Sequence, residues 1–214
     1  MNQTLRITAT VLGLGLALGM TAPAAAGDAG WIVAERLRGN VVAVTAQGHG
    51  EKRTGFGFVV SESAAGKLVI VTADHVARSQ EVLPEPEVVS VTVRFLDPVF
   101  GERPATLAAQ RLDARRGDLA VLLVDKPTGF TWEKRAWDTR QMAPPEPVRY
   151  IGRQGKWDIP PDPLKVMGRQ TDKQKLELQG DVQRGTSGAP LLSDRGIVGM
   201  VVQATVGAWA VDGL

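Results

Sequence analysis

Apolar residues recur along this chain in short β-branched runs rather than at helical spacing. The runs are Val41–Thr45, Gly55–Val60, Leu68–Thr72, Val88–Phe95, Leu119–Val124, Val148–Gly152, Lys175–Leu178, Leu191–Leu192 and Gly196–Val202. Each is bounded by Gly, Pro, Asp or Ser, which is the pattern of strands separated by turns. The pattern predicts an all-β sandwich or barrel. The long alternating helices of a parallel α/β sheet are missing. Helical character is confined to Trp31–Leu37, which reads as one short helix or a leading arm, and to a short turn over His75–Ser79. Three proline-rich stretches, Pro84–Pro86, Pro144–Pro147 and Pro160–Pro163, read as fixed extended loops. The middle one falls where two half-domains could join.

The first 26 residues follow a different pattern. Arg6 is their one charged side chain, Ile7 to Met20 is an apolar run, and Ala24-Ala25-Ala26 follows Pro23. That order of charge, apolar stretch and small residues predicts a secretory signal peptide over 1–26, cleaved after Ala26. An uncleaved anchor is the competing reading, because Ile7 to Ala26 is just long enough to span a bilayer. The leader makes the protein periplasmic or secreted, with bacterial export the natural fit. Once the signal is cleaved, no stable membrane insertion is expected.

Composition narrows the chemistry. The chain has 214 residues, 43% of them hydrophobic, 22% charged and none cysteine. That apolar fraction excludes a disordered chain. Zero cysteine excludes a disulfide scaffold, a thiol nucleophile and cysteine-ligated zinc or iron–sulfur. The fold must therefore rest on its core alone. Two histidines, His49 and His75, leave too little for a multi-histidine metal site. The net charge is +2 with both signs interspersed, so no nucleic-acid footprint is read.

Three motifs carry candidate chemistry. Val69-Ile70-Val71-Thr72-Ala73-Asp74-His75-Val76 ends a strand in small residues and delivers a histidine. Arg116-Gly117-Asp118-Leu119-Ala120-Val121 delivers an aspartate at the mouth of an apolar strand. Arg184-Gly185-Thr186-Ser187-Gly188-Ala189-Pro190 embeds a serine between glycines. A serine hydroxyl needs a base to take its proton, and the base needs a group that fixes its tautomer. Backbone N–H groups must also face the developing oxyanion, here those of Gly185 and Ser187. Chain order separates the possible folds. No histidine follows the serine, which excludes the α/β-hydrolase order. The aspartates ahead of His75 are Asp28 and the adjacent Asp74, which all but excludes the subtilisin order. The order left is His75, Asp118, Ser187. Asp113 competes with Asp118, but Asp118 directly precedes the apolar strand and is the stronger candidate. His49, in Gln47-Gly48-His49-Gly50, reads as a loop residue.

These motifs resemble the chymotrypsin/trypsin-like serine proteases, and more closely the disulfide-free bacterial branch that includes the HtrA-type proteases. Gly55-Phe56-Gly57-Phe58-Val59 is similar to that branch's strand before the histidine. Val148–Gly152 is similar to its strand after the crossover between barrels, and Arg195–Met200 to the strand that carries substrate by backbone pairing. The resemblance runs from about Asn40 to Leu214. It implies two six-stranded antiparallel β-barrels, one over about 40–140 and one over about 145–214, with the site in the cleft between them. It also implies a catalytic set of His75, Asp118 and Ser187 that needs no metal or cofactor. Asp181 matches the residue at the base of the trypsin specificity pocket, with Gly199 and Val201 as further substrate-binding positions. A basic preference through Asp181 stands against a small-apolar or undefined one. Departures from the family pattern are Asp74 before the histidine and Ala189 for the common second glycine. At Thr186 the digestive branch has the aspartate that pairs with a new N-terminus, so no zymogen ion-pair switch is implied. Asp74 either acts on the imidazole or faces solvent. Trp132, Trp137 and Trp157 either line a binding surface or cover the barrels.

The leading reading is an exported serine endopeptidase acting on polypeptide through an acyl-enzyme. A catalytically silent binding module on the same fold is the alternative from another class. An esterase or transferase on that fold is the third. The oligomeric state is left open.

Overall fold

The computed structural model describes residues 5–10, 29–48, 51–78, 90–108, 118–134, 137–170 and 175–206. Twelve strands form two closed six-stranded barrels. The first barrel is built from β2 (Val41–Gln47), β3 (Lys52–Glu62), β4 (Lys67–Thr72), β5 (Ser90–Phe95), β6 (Glu102–Leu107) and β7 (Ala120–Asp125). Around the barrel they run β2-β3-β4-β7-β6-β5, and every pairing is antiparallel. The second barrel uses β8 (Pro147–Tyr150), β9 (Leu164–Gln170), β10 (Lys175–Gln179), β11 (Pro190–Leu192) and β12 (Ile197–Val206). Its sixth strand is β1 (Leu5–Thr10), paired on one side with β10 and on the other with β12.

The two barrels follow one walk. In each, the first three strands are sequential neighbours, and the fourth and fifth return on the other side. In the first barrel β7 closes the gap between β4 and β6. In the second, β1 fills the corresponding gap between β10 and β12. Sequence analysis reads Leu5–Thr10 as the start of a leader. In the structure the same six residues are a strand, and their alternation of Leu5, Ile7 and Ala9 with Arg6, Thr8 and Thr10 suits one. The rest of the expected signal segment, including Ala24–Ala26, lies outside the described residues. No helix among the described residues is long and apolar enough to cross a membrane.

Each barrel is filled by inward side chains. Val42, Val44, Phe56, Phe58, Leu68, Ile70, Val93, Phe95, Leu122 and Val124 are buried in the first. Val148, Tyr150, Leu164, Val166, Leu176, Leu178 and Leu191 are buried in the second. Burying side chains of this size is worth about 1.5–3 kcal/mol each, which lets a disulfide-free chain fold on its core. Helix α1 (Ala29–Leu37) lays Val33, Ala34 and Leu37 into this core. A second helix, α2 (Asp74–Ala77), is a single turn following β4.

Side chains also tie the barrels together. The Trp157 indole N–H donates to the Val41 carbonyl at 2.7 Å. Its ring meets Phe56 edge-on, and Arg94 lies over it at 4.6 Å. Trp157 is thus a buried contact between barrels. Trp137 is 41% exposed and sets its ring against Phe58.

Candidate active site

The pairing of β4 with β7 explains how two distant motifs meet. Thr72, at the end of β4, lies opposite Ala120, at the start of β7. His75 follows the first of these ends by three residues, and Asp118 precedes the second by two. The carboxylate of Asp118 grips His75 twice. Oδ1 accepts the His75 backbone N–H at 2.9 Å, and Oδ2 makes a short contact with the ring Nδ1. An imidazole held at Nδ1 by a carboxylate has Nε2 free to act on a hydroxyl. Both side chains are partly buried. Asp113 and His49 lie outside the described residues.

Asp74 has a partner of its own. One carboxylate oxygen meets Arg78 Nε at 2.8 Å, one helical turn further on. The residue raised in the sequence as an extra charge beside the imidazole is therefore bound to a cation.

Ser187 sits in the turn between Arg184 and Ala189, just ahead of β11. The turn is fixed from both barrels. Ala189 N–H donates to Thr186 O at 3.0 Å, and Gly188 N–H donates to Val201 O at 2.7 Å. From the first barrel, Phe56 N–H donates to the Ser187 carbonyl at 2.8 Å. The Phe56 carbonyl in turn accepts the Thr72 hydroxyl at 2.6 Å. A Cβ built on Gly55 would lie 2.6 Å from Ser187 O and 2.8 Å from Val76 Cγ2. The serine's peptide and the histidine's neighbour thus converge on one glycine of β3. Among the described residues, no backbone acceptor is paired with the N–H of Gly185 or Ser187. Sequence reasoning missed Gly55, Phe56 and Thr72 as parts of the site. The Gly-Phe-Gly-Phe run was visible, but its role lies in backbone groups that carry no side-chain signature.

The specificity positions are more dispersed. Asp181 is exposed, and its carbonyl accepts the Tyr150 hydroxyl at 3.0 Å. Burial, with the nearby Asp181 charge, pushes the Tyr150 phenol up to about 12. Gly199 pairs with Leu191 inside the second barrel. Val201 is buried; its N–H donates to Ala189 O, and its carbonyl accepts Gly188 N–H. The structure thus uses Val201 beneath the serine turn, with both backbone groups taken. Thr186 is also buried there, and its hydroxyl oxygen has no hydrogen-bond partner. No cluster of metal-ligating side chains occurs among the described residues.

Two antiparallel six-stranded barrels, a carboxylate-held histidine on one and a glycine-framed serine on the other, define a trypsin-like architecture. The chain belongs to that family: the family model described as "Trypsin-like peptidase domain" matches residues 55–200. Similar solved structures agree on the fold. The Rv3671c protease from M. tuberculosis in its active form shares 18% identity at a TM-score of 0.59, covering 94% of this chain and 86% of that one. A structure titled Deg5 shares 18% at 0.59, covering 82% and 88%. The serine endoprotease from Yersinia pestis shares 17% at 0.56, covering 83% of this chain and 57% of its own. The chain matches no curated protein. The resemblance read from the three motifs therefore holds, and the lack of cysteine agrees with the disulfide-free branch.

Proposed function

We propose that this protein is an exported serine endopeptidase. In this reading Ser187 attacks the scissile carbonyl and forms an acyl-enzyme. His75 takes the hydroxyl proton and returns it to the leaving amine, while Asp118 holds the imidazole and stabilises its charged form. The N–H groups of Gly185 and Ser187 receive the oxyanion, and polypeptide lies in the cleft between the barrels. No metal or cofactor enters. The observation that carries the reading is the double grip of Asp118 on His75, on its ring and on its backbone. A binding module has no physical need for an oriented imidazole, which disfavours the silent alternative.

Export follows from the leader pattern of residues 1–26 and places the mature protein in the periplasm or outside the cell. The full chain holds Leu5–Thr10 inside the second barrel. Cleavage after Ala26 removes this strand from the mature protein.

A fluorophosphonate probe tests the chemistry. Wild-type protein is expected to label at Ser187, and both Ser187→Ala and His75→Ala are expected to abolish labelling. Folded wild type that takes up no probe would return the silent binding module as the better reading. Hydrolysis of esters without peptides would instead favour the esterase.

A further inference from the structure

Arg53 lies on β3, two residues before Gly55 and three before Phe56, and its side chain crosses to α2. Its Nη1 donates to the His75 carbonyl at 3.3 Å and makes a short contact with the Arg78 carbonyl. Its Nη2 donates to Glu51 Oε2 at 2.7 Å. The side chain is largely buried, at 19% exposure. His75 is therefore held at three points: the ring and the backbone N–H by Asp118, and the backbone carbonyl by Arg53. On the same strand, Phe56 N–H holds the Ser187 carbonyl and Gly55 leaves room for it. Positions 53 to 56 of one strand thus fasten the peptide of the histidine and the peptide of the serine.

We propose that Arg53 is a positioning residue that sets the distance between His75 and Ser187, with Glu51 fixing its guanidinium; this rests on the reading of His75 as the base for Ser187. A laddered β-strand is a stiff spacer. Over Arg53–Phe56 the spacer is laddered to β2 on one edge, and from Gly57 onward the strand is also paired with β4. Arg53 supplies one anchor of that spacer, and the Phe56 N–H supplies the other. Without the guanidinium, the His75 and Arg78 carbonyls lose a charged donor, and His75 keeps only the two holds that Asp118 provides. The imidazole then keeps its aspartate but loses its aim. The proton transfer slows, while recognition of the probe or substrate is untouched.

The test uses the full chain and the same fluorophosphonate, with the maximal labelling rate separated from the probe's apparent affinity. Arg53→Gln is expected to lower the maximal rate about 10- to 100-fold and to leave the affinity unchanged, as for a misaligned base. Arg53→Lys keeps one cationic donor and is expected to recover part of the rate. Circular dichroism fixes a temperature at which each variant is fully folded. Should Arg53→Gln fail to fold, Glu51→Gln, which frees only Nη2, carries the test with a smaller rate loss and unchanged affinity. Wild-type labelling rates in the folded variants would overturn the role of Arg53 and leave the serine chemistry standing. A rate loss that Lys does not relieve, and that tracks a lowered melting temperature, would make Arg53 purely structural. Wild type that fails to label at Ser187 would overturn this proposal together with the reading beneath it.

Discussion

Gly188 shows how little freedom the serine turn has. Its φ is +84°, and a Cβ added there would fall 1.8 Å from the Phe56 carbonyl oxygen and 2.7 Å from Thr72 Oγ1. Neither atom is the loose end of a flexible side chain. The Phe56 carbonyl is bound by the Thr72 hydroxyl, and the Phe56 N–H is committed to Ser187. Gly188→Ala is therefore expected to destabilise the protein by more than about 3 kcal/mol, in the range reserved for backbone strain combined with overpacking. Urea unfolding measures this, and a midpoint near wild type would contradict the geometry. Tyr150 gives a second expectation. Its folded-state pKa is raised from 10.0 to about 12, chiefly by burial, so its stabilising effect is full below pH 10 and is lost as pH rises through about 12. Tyr150→Phe should flatten the loss of stability across that window in unfolding curves taken at stepped alkaline pH. An unchanged slope would assign the alkaline sensitivity elsewhere. At this scale the sequence was most informative where a side chain does the work. His75 and Asp118 stand at strand ends beside small residues, and the structure joins them. Arg53, Phe56 and Thr72 were illegible as site residues because each acts on a carbonyl or through one. A sequence records side chains, not which backbone group will be near them.

Strands were legible in proportion to their burial. β2, β4 and β7 are apolar runs whose residues face the first core, and all were visible as β-branched segments. β6 was not. Glu102-Arg103-Pro104-Ala105-Thr106-Leu107 is mostly exposed and contains a proline, so neither alternation nor propensity marks it. Only its ladders to β5 and β7 make it a strand. β9 carried a usable signal, since Leu164 and Val166 are buried while Lys165 and Met167 are exposed, but it follows directly on a proline-rich loop. The two predicted helices were found where expected, α1 from its buried stripe and α2 as the turn that presents His75. β1 was missed for a different reason. A leader and a barrel strand both draw on apolar residues such as Leu5, Ile7 and Ala9, and composition alone does not separate them.

At the scale of the molecule, the shared strand order of the barrels makes β1 the counterpart of β7. Its ladders join both flanking strands, so its loss leaves two strand edges in the second barrel and none in the first. Protein lacking residues 1–26 is therefore expected to show faster amide hydrogen exchange over Lys175–Gln179 and Met200–Val206 than the full chain, with the first barrel unchanged. Equal protection in the two forms would show that the second barrel does not depend on β1.

That arrangement also sets a timetable. The strands of the first barrel lie within 41–125, so this barrel can close while the remainder is still being synthesised. Closing the second requires Ile7 to meet Ala204, almost a whole chain length away. Contacts that distant form late, because the loop-closure entropy must be met first. Until the ribosome has released the end of β12, the N-terminal segment has no barrel to enter. In the export reading proposed above, capture of the leader and closure of the barrel compete for the same six residues.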